Sequence, residues 1–253
     1  MFLKFSGFVG VLISSAVIFL CSLFESAETE SKGHSLMQFG RPENTPPVVR
    51  IIEPKNNTVH PINSLVRYSI SVSDKEDGES RFDEIPSDKI FLEIKFISGT
   101  PMDTPNQTPR EEAMGLRLIK NSDCFTCHQF KTRLIGPSLF EIANRYAKTA
   151  DARQILSRRI TDGSQAVWGE AIMPAHPDIS MEASREIVDW ILKNGLNENL
   201  NYLPGKEGTF RINGPARARE GFFELKAIYT DKGIPGKPTE TLTGEDVVTI
   251  RVD

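Results

Sequence analysis

The sequence has little cysteine, little net charge and only one long hydrophobic run. Three cysteines in 253 residues are too few for a fold that depends on several disulfides. The formal net charge is −4 at pH 7, which does not indicate the basic face of a nucleic-acid-binding protein. Hydrophobic residues make up 39% and charged residues 25% of the chain, a composition that excludes both a polytopic membrane protein and a disordered one. The length is sufficient for two domains.

The hydrophobic run lies at the N-terminus, from Phe5 to Phe24, directly after Lys4. It predicts a secretory signal peptide or a membrane anchor within residues 1–27, because about 20 apolar residues span a bilayer core. Lipidation of Cys21 is a third alternative, although the large residues before it fit a lipoprotein signal poorly. All three predict export to the periplasm or cell envelope, with anchoring at the membrane favoured. Residues 28–46 are polar and aperiodic, as in a flexible tether.

Two regions, residues 47–100 and 205–253, show the period-two alternation of β-strands. Each would give about three strands with uncovered edges, whereas together they have the size of one β-sandwich. We therefore predict a discontinuous sandwich with a separate domain inserted between its two parts. Two separate small β elements are the alternative. Strands are expected at residues 48–52, 65–74, 90–97, 209–212, 223–229 and 248–252.

Acidic residues lie in or beside the turns of these flanks, namely Asp74, Glu76, Asp77 and Asp231. Carboxylates are preferred ligands of calcium, but aspartate also favours tight backbone turns without any metal. We interpret these residues as turn residues, with calcium binding as the alternative.

Between the flanks the periodicity becomes helical, with helices expected at residues 112–121, 140–150, 152–160 and 181–194. Here Cys124, Cys127 and His128 form the pattern Cys-x-x-Cys-His, the attachment signature of a c-type haem. Two thiols at this spacing reach the two vinyl groups on one porphyrin edge, and the next residue offers an imidazole to the iron. Such attachment takes place outside the cytoplasm, in agreement with the predicted export.

Other uses of this motif fit less well. A structural zinc site needs four ligands, and only three are at hand, because His34, His60 and Cys21 lie in other regions. A structural disulfide or a thioredoxin-like pair has no need of His128, and no βαβ pattern surrounds the motif.

The second axial ligand is expected downstream of the motif. Met173 stands before a proline, which indicates a rigid loop, and a thioether ligand raises the reduction potential relative to a second histidine. His176, three residues later, is the alternative ligand. Met114 and Met181 lie on helical patterns and are expected in the core.

Residues 111–195 resemble the small single-haem class I bacterial cytochromes c in the order and spacing of five motifs. These motifs are CFTCH, IGPSLFEIA, RRITDGSQAVWG, IMPAHP and REIVDWILKNG. The resemblance implies an all-α domain, which we place at residues 108–198, with one covalent haem c. The flanks, with PPVVRIIEPKNNTV, YSISVSDKEDG and GFFELKAIYTDKG, resemble bacterial immunoglobulin-like or PKD-like modules.

The cytochrome resemblance also implies roles for individual residues. It makes His128 the proximal and Met173 the distal axial ligand. It implies that the carbonyl of Pro137 accepts a hydrogen bond from the His128 ring, and that Arg159 and Trp168 approach a haem propionate. Arg159 has a further basis, because a buried carboxylate needs a charged or N–H partner.

Two more features follow from the same comparison. Gly115 and Trp190 are expected at the crossing of the first and last helices, where a missing side chain admits an aromatic ring. Glu170 departs from the family pattern, in which an apolar residue or proline is common, and this concerns the docking surface of its loop rather than ligation.

With both axial positions filled, no substrate reaches the iron, so we predict an electron-transfer protein and not an enzyme. The expected function is one-electron transfer between a dehydrogenase, such as a sugar or alcohol dehydrogenase, and a respiratory acceptor such as a terminal oxidase. One alternative is a haem enzyme such as a peroxidase, although a closed site and a single haem weaken it. Another is a surface- or carbohydrate-binding protein, for which Phe91 and Phe222 are the aromatic candidates.

Overall fold

The structure is a computed structural model, and it describes residues 43–99, 112–212 and 221–253. The predicted signal or anchor at residues 1–27, and most of the tether at residues 28–46, lie outside these ranges. In the described residues no helix is both long and apolar enough to cross a membrane. The predicted combination of α and β structure is confirmed.

The strands and helices are labelled here in chain order. The strands are β1 (Val48–Glu53), β2 (Thr58–His60), β3 (Leu65–Asp74), β4 (Gly78–Glu79), β5 (Ile90–Ser98), β6 (Leu200–Pro204), β7 (Glu207–Arg211), β8 (Gly221–Thr230) and β9 (Thr243–Val252). The helices are α1 (Met114–Asn121), α2 (Cys124–Cys127), α3 (Leu139–Tyr146), α4 (Ala152–Asp162) and α5 (Met181–Asn194).

The strands form two sheets, and each sheet contains strands from before and after the helices. In one sheet the order is β1-β3-β4, with β7 also paired to β3, and in the other it is β2-β9-β8-β5-β6. All pairs are antiparallel except β2 with β9. Because β5 and β6 are neighbours, with Leu92 opposite Leu203, the chain leaves and re-enters this sheet at adjacent strands. The flanks are therefore joined by pairing rather than folded apart. We call the two sheets together the β module.

The alternation seen in the sequence gives the β module its core. In β3 every second residue is buried, including Val66, Tyr68, Ile70 and Val72. In β5 the residues that face the other sheet are also buried. The buried residues of β3 and β5 belong to a single hydrophobic cluster. Each aliphatic or aromatic side chain buried in this way stabilises the fold by about 1.5–3 kcal/mol relative to exposure.

Three strands were not predicted from the sequence. β2, β4 and β6 are 3, 2 and 5 residues long, too short for an alternation pattern to stand out. β6 also lies outside the predicted second part of the sandwich, which began at residue 205.

In the helical domain, α1 to α5, the helices α3 and α5 each begin with a serine cap. At the start of α3 the Ser138 hydroxyl accepts from the backbone of Glu141, and the Glu141 carboxylate accepts from the backbone of Ser138, a capping box.

The first and last helices, α1 and α5, approach closely at Gly115. A Cβ atom at Gly115 would lie 2.2 Å from the carbonyl oxygen of Glu186 and 2.6 Å from Cβ of Trp190. The predicted crossing of the first and last helices at Gly115 is therefore confirmed.

Candidate functional site

The helical domain surrounds a cleft of about 1180 Å³, part of which is open to solvent. Its walls are mostly apolar, with contributions from α1, α3, α4 and α5. All seven residues proposed for the site from the sequence line this one cleft, and they are Cys124, Cys127, His128, Pro137, Arg159, Trp168 and Met173.

The two cysteines lie on the short helix α2, at its first and last residues. Residues three apart in a helix share one side, so both thiols line the cleft. Both thiols are free, so they do not form a disulfide with each other. Burial raises the pKa of the Cys124 thiol, partly offset by the hydroxyl of Ser122, which lies 2.9 Å from its sulfur.

The imidazole of His128 is fixed by its neighbours. Its Nδ1 lies 2.7 Å from the carbonyl oxygen of Pro137, which can only accept, so Nδ1 carries the proton and Nε2 is left with a free lone pair. Burial lowers the pKa of His128, with a smaller opposing effect from the Pro137 carbonyl, so the ring is neutral at pH 7. A neutral ring with a free Nε2 is the form that ligates a metal.

Gly136 contacts this ring and was not singled out from the sequence. A Cβ atom at this position would lie 2.4 Å from Cε1 of His128 and 2.8 Å from its Nδ1. Only glycine therefore allows the imidazole to lie against this backbone. The Gly-Pro pair of the motif IGPSLFEIA begins eight residues after His128 and was the available signal.

Met173 lies on a loop that is tied to the end of α4. Its backbone forms a two-way bridge with Ser164, with N···O distances of 3.0 and 2.8 Å. Gly163 precedes Ser164 at φ +79°, and a Cβ there would lie 2.8 Å from the Met173 carbonyl oxygen. The side chain of Met173 packs against the hydrophobic core of the helices, and the loop conformation agrees with the adjacent proline.

Arg159 and Trp168 have partners that the sequence did not reveal. The guanidinium of Arg159 donates a hydrogen bond to the hydroxyl of Tyr146. The ring of Trp168 lies near two other guanidinium groups, 4.4 Å from Arg145 and 5.7 Å from Arg133. Cations at this distance from an aromatic face attract it, so they restrain the indole. These contacts join segments far apart in the chain, and no local motif signals them.

His176, the alternative ligand, lines the same cleft. Its Nε2 is 3.2 Å from the carboxylate of Asp123, while its Nδ1 is buried without a hydrogen-bond partner among the described residues. At the mouth of the cleft, Ile135 and Ile172 are well exposed and form an apolar rim.

The acidic turns of the β module act in hydrogen bonding. The Asp77 carboxylate accepts from the hydroxyl of Tyr229 at 2.6 Å and from the backbone of Lys232 at 3.0 Å, while Asp231 accepts from the backbone of Gly233 and Leu242. Across the described ranges no three or more His, Cys, Asp or Glu side chains are arranged to hold a metal ion. These hydrogen bonds are the ones expected of turn residues.

Known proteins resemble the segment that forms this site. Cytochrome c-552 of Nitrosomonas europaea is 40% identical over 75 residues, which are 30% of this chain and 73% of that protein. Cytochrome c-551 of Ectopseudomonas mendocina is 34% identical over 80 residues, 32% of this chain and 96% of that protein. The crystal structure of wild-type N. europaea cytochrome c552 aligns at 38% identity over 31% of this chain and 96% of that one, with a TM-score of 0.30. No model of a protein family matches the sequence. Through its helical segment, the chain belongs to the small class I cytochromes c of the c-551 and c-552 type.

Proposed function

We propose that the helical domain, residues 108–198, carries one covalent haem c and transfers single electrons. The observation that most strongly supports this proposal is the set of side chains that line the cleft. Two free thiols, a neutral imidazole with a free Nε2 and a thioether all line one apolar cavity. Few other cofactors would use thiols, nitrogen and thioether sulfur together.

The donor set fits haem group by group. Cys124 and Cys127 would hold the porphyrin edge, His128 and Met173 would ligate the iron, and Arg159 with Trp168 would meet a propionate. The apolar walls suit a porphyrin ring, and a buried propionate needs the charged and N–H partners that these two residues offer.

Haem supplies an iron that alternates between the ferric and ferrous states, at a potential set by its ligands and surroundings. The chain's own residues hold the ligands still. Pro137 and Gly136 fix the ring of His128, and the bridge to Ser164 fixes the Met173 loop. Ligands held in this way would need little rearrangement during electron transfer, and two such ligands would leave no position on the iron for a substrate. This favours a carrier over a haem enzyme such as a peroxidase.

The carbohydrate-binding alternative loses its aromatic candidates. Phe91 is 3% exposed and Phe222 is 2% exposed. A sugar platform needs accessible rings, and these are buried.

The proposal also covers the β module, the N-terminal residues and the surface beside the cleft. The β module, predicted at residues 47–100 and 205–253 and extended by β6 to Leu200, would be an immunoglobulin-like platform for the haem domain. Residues 1–27 would direct export or anchor the protein at the membrane, with residues 28–46 as the tether, so that it works in the periplasm or cell envelope. The exposed apolar rim beside the cleft would dock weakly and transiently to redox partners, a dehydrogenase and a respiratory acceptor.

The Met173 assignment is tested by Met173→Ala, with Met114→Ala as the control. Met114 was expected in the core, but that expectation is wrong, because the residue lies at the first position of α1 and is exposed. We expect Met173→Ala to abolish the weak far-red absorption band of the ferric protein and to lower the reduction potential. Met114→Ala should change neither. If the far-red band persists in Met173→Ala, or is lost instead in His176→Ala, the assignment of Met173 is wrong.

A further inference from the structure

We propose that the start of strand β5 in the β module is a positioning element for the haem-attachment segment, through Phe91 and through Lys89, which directly precedes the strand. The proposal rests on the proposed function, because it concerns a haem held at Cys124 and Cys127. It assigns to the β module a part in setting the redox properties of the helical domain.

Phe91 faces away from the core of the β module. Along β5, Ile90, Leu92, Ile94 and Phe96 point between the sheets and belong to its hydrophobic cluster, so Phe91 lies on the opposite face. A side chain on the outer face of a sheet is usually in contact with solvent. Phe91 is nevertheless 3% exposed and belongs to the hydrophobic cluster of the helical domain.

The contact of Phe91 is with the attachment motif itself. Its ring centroid lies 5.4 Å from that of Phe125, with an interplanar angle of 51°, a favourable arrangement for two aromatic rings. Phe125 is the residue directly after Cys124 and is buried. The β module therefore contacts the short helix that carries both thiols.

Polar contacts join the same two regions. The ammonium group of Lys89 donates to the carbonyl oxygen of Ser122 at 3.3 Å, and the hydroxyl of Ser122 lies 2.9 Å from the sulfur of Cys124. In addition, the ammonium group of Lys120 on α1 lies 5.3 Å from the centroid of the Phe91 ring. The start of β5 is thus connected to the attachment segment by both apolar and polar contacts.

A second aromatic cluster holds the far end of the segment. Phe130, two residues after His128, packs with Trp190 and with Tyr202 of β6, with centroid distances of 5.9 and 5.5 Å. The hydroxyl of Tyr202 donates to Glu93 on β5 at 2.7 Å. The attachment segment is therefore held between two anchor points on the β5–β6 pair.

This packing has a consequence for a haem at Cys124 and Cys127. The apolar shell around such a site controls solvent access and local dielectric, and through them the reduction potential. Loosening the segment would admit water near the cysteine edge. Water favours the more highly charged ferric state, so the potential should fall.

The test compares two phenylalanines on one strand in the full-length holoprotein. Phe91 and Phe96 are both buried, at 3% and 6% exposure, but they face opposite sides of β5. We expect Phe91→Ala to lower the reduction potential and to reduce the amide hydrogen-exchange protection of residues 124–128 by about tenfold or more. Phe96→Ala should weaken the β module yet leave both readouts unchanged, and Phe91→Leu should restore most of the wild-type potential.

Lys89→Met provides a second variant, which removes only the ammonium group of a partly exposed side chain. This variant should lower the reduction potential by a smaller amount than Phe91→Ala. If Phe91→Ala does not fold, the reduction potential of Lys89→Met tests the proposal instead. An unchanged potential in Phe91→Ala or, where that variant does not fold, in Lys89→Met would overturn the proposal, as would equal shifts in Phe91→Ala and Phe96→Ala. Wild-type protein without covalent haem would instead overturn the proposed function, so the two failures are distinguishable.

Discussion

Leu92 and Leu225 of the β module are completely buried between two sheets, whereas Leu156 and Ile160 of the helical domain line a cleft. In the β module, alternating strands supply both walls of the core, and side chains fill it. In the helical domain, amphipathic helices supply the walls of a cleft, and two thiols, an imidazole and a thioether line the space between them. One region therefore fills its core with side chains, while the other packs its own side-chain core around a cleft whose lining fits the proposed haem.

The largest expected effect comes from replacing both thiols, Cys124→Ala with Cys127→Ala. Without covalent haem the walls of the cleft lose the group they pack against, so α3 and α4 should lose most of their protection from hydrogen exchange. β8 and β9, whose core is filled by side chains, should remain protected. Peptide-resolved hydrogen exchange by mass spectrometry measures both regions in one sample. Equal protection of the helices in variant and wild type would remove the proposed difference between the two regions.

A smaller effect is expected from Gly136→Ala, with Gly208→Ala in β7 as the matched change. The new Cβ at position 136 would overlap the ring of His128, while that at position 208 would lie 2.9 Å from the ring of Tyr68 in the β module. Each should cost about 1–3 kcal/mol of unfolding free energy. Only Gly136→Ala should alter the visible spectrum and the reduction potential, which absorption spectroscopy and redox titration measure. A perturbed spectrum in Gly208→Ala alone would contradict the account.

The smallest expected effect is the pH dependence contributed by Asp74 in the β module. Burial raises the pKa of Asp74, and the nearby Asp77 and Glu76 raise it further, while two backbone N–H groups oppose the shift. A raised pKa means that the folded state favours the protonated form. Its contribution to stability is present below the unfolded-state pKa and is lost as the pH rises through the folded-state value.

Asp74→Asn keeps an oxygen for the backbone N–H groups and removes the charge. It should therefore stabilise the protein at pH 7 by about 1 kcal/mol or less and flatten the stability profile in the acid range. Urea denaturation at several pH values checks this, with the haem spectrum as a control that should not move. A steeper profile in Asp74→Asn would show that the sign is wrong.

The sequence was most informative where the residues of the site lie close together in the chain. The attachment signature places Cys124, Cys127 and His128 within five residues, and their spacing predicts haem attachment. The proline after Met173 correctly indicated a loop, and the resemblance to class I cytochromes c correctly placed Pro137 beside the His128 ring. The long strands β3 and β8 were found because their alternation extends over several residues.

The sequence was least informative where distant segments meet. On the sequence alone Phe91 is an aromatic candidate for sugar binding, but in the structure its ring packs against that of Phe125. Likewise, Lys120 is buried and paired with Glu112 at 2.7 Å, although a lysine on a short helix is normally exposed. Alternation and helical periodicity specify which residues share a face, but they do not specify what covers that face.

Intact and peptide mass spectrometry of the protein, expressed in a host that matures c-type cytochromes, determines whether haem is attached to the chain. We expect the peptide containing Cys124 and Cys127 to carry the mass of one haem, bound through both sulfurs. The bare peptide mass, with both thiols free to react with an alkylating reagent, would contradict it.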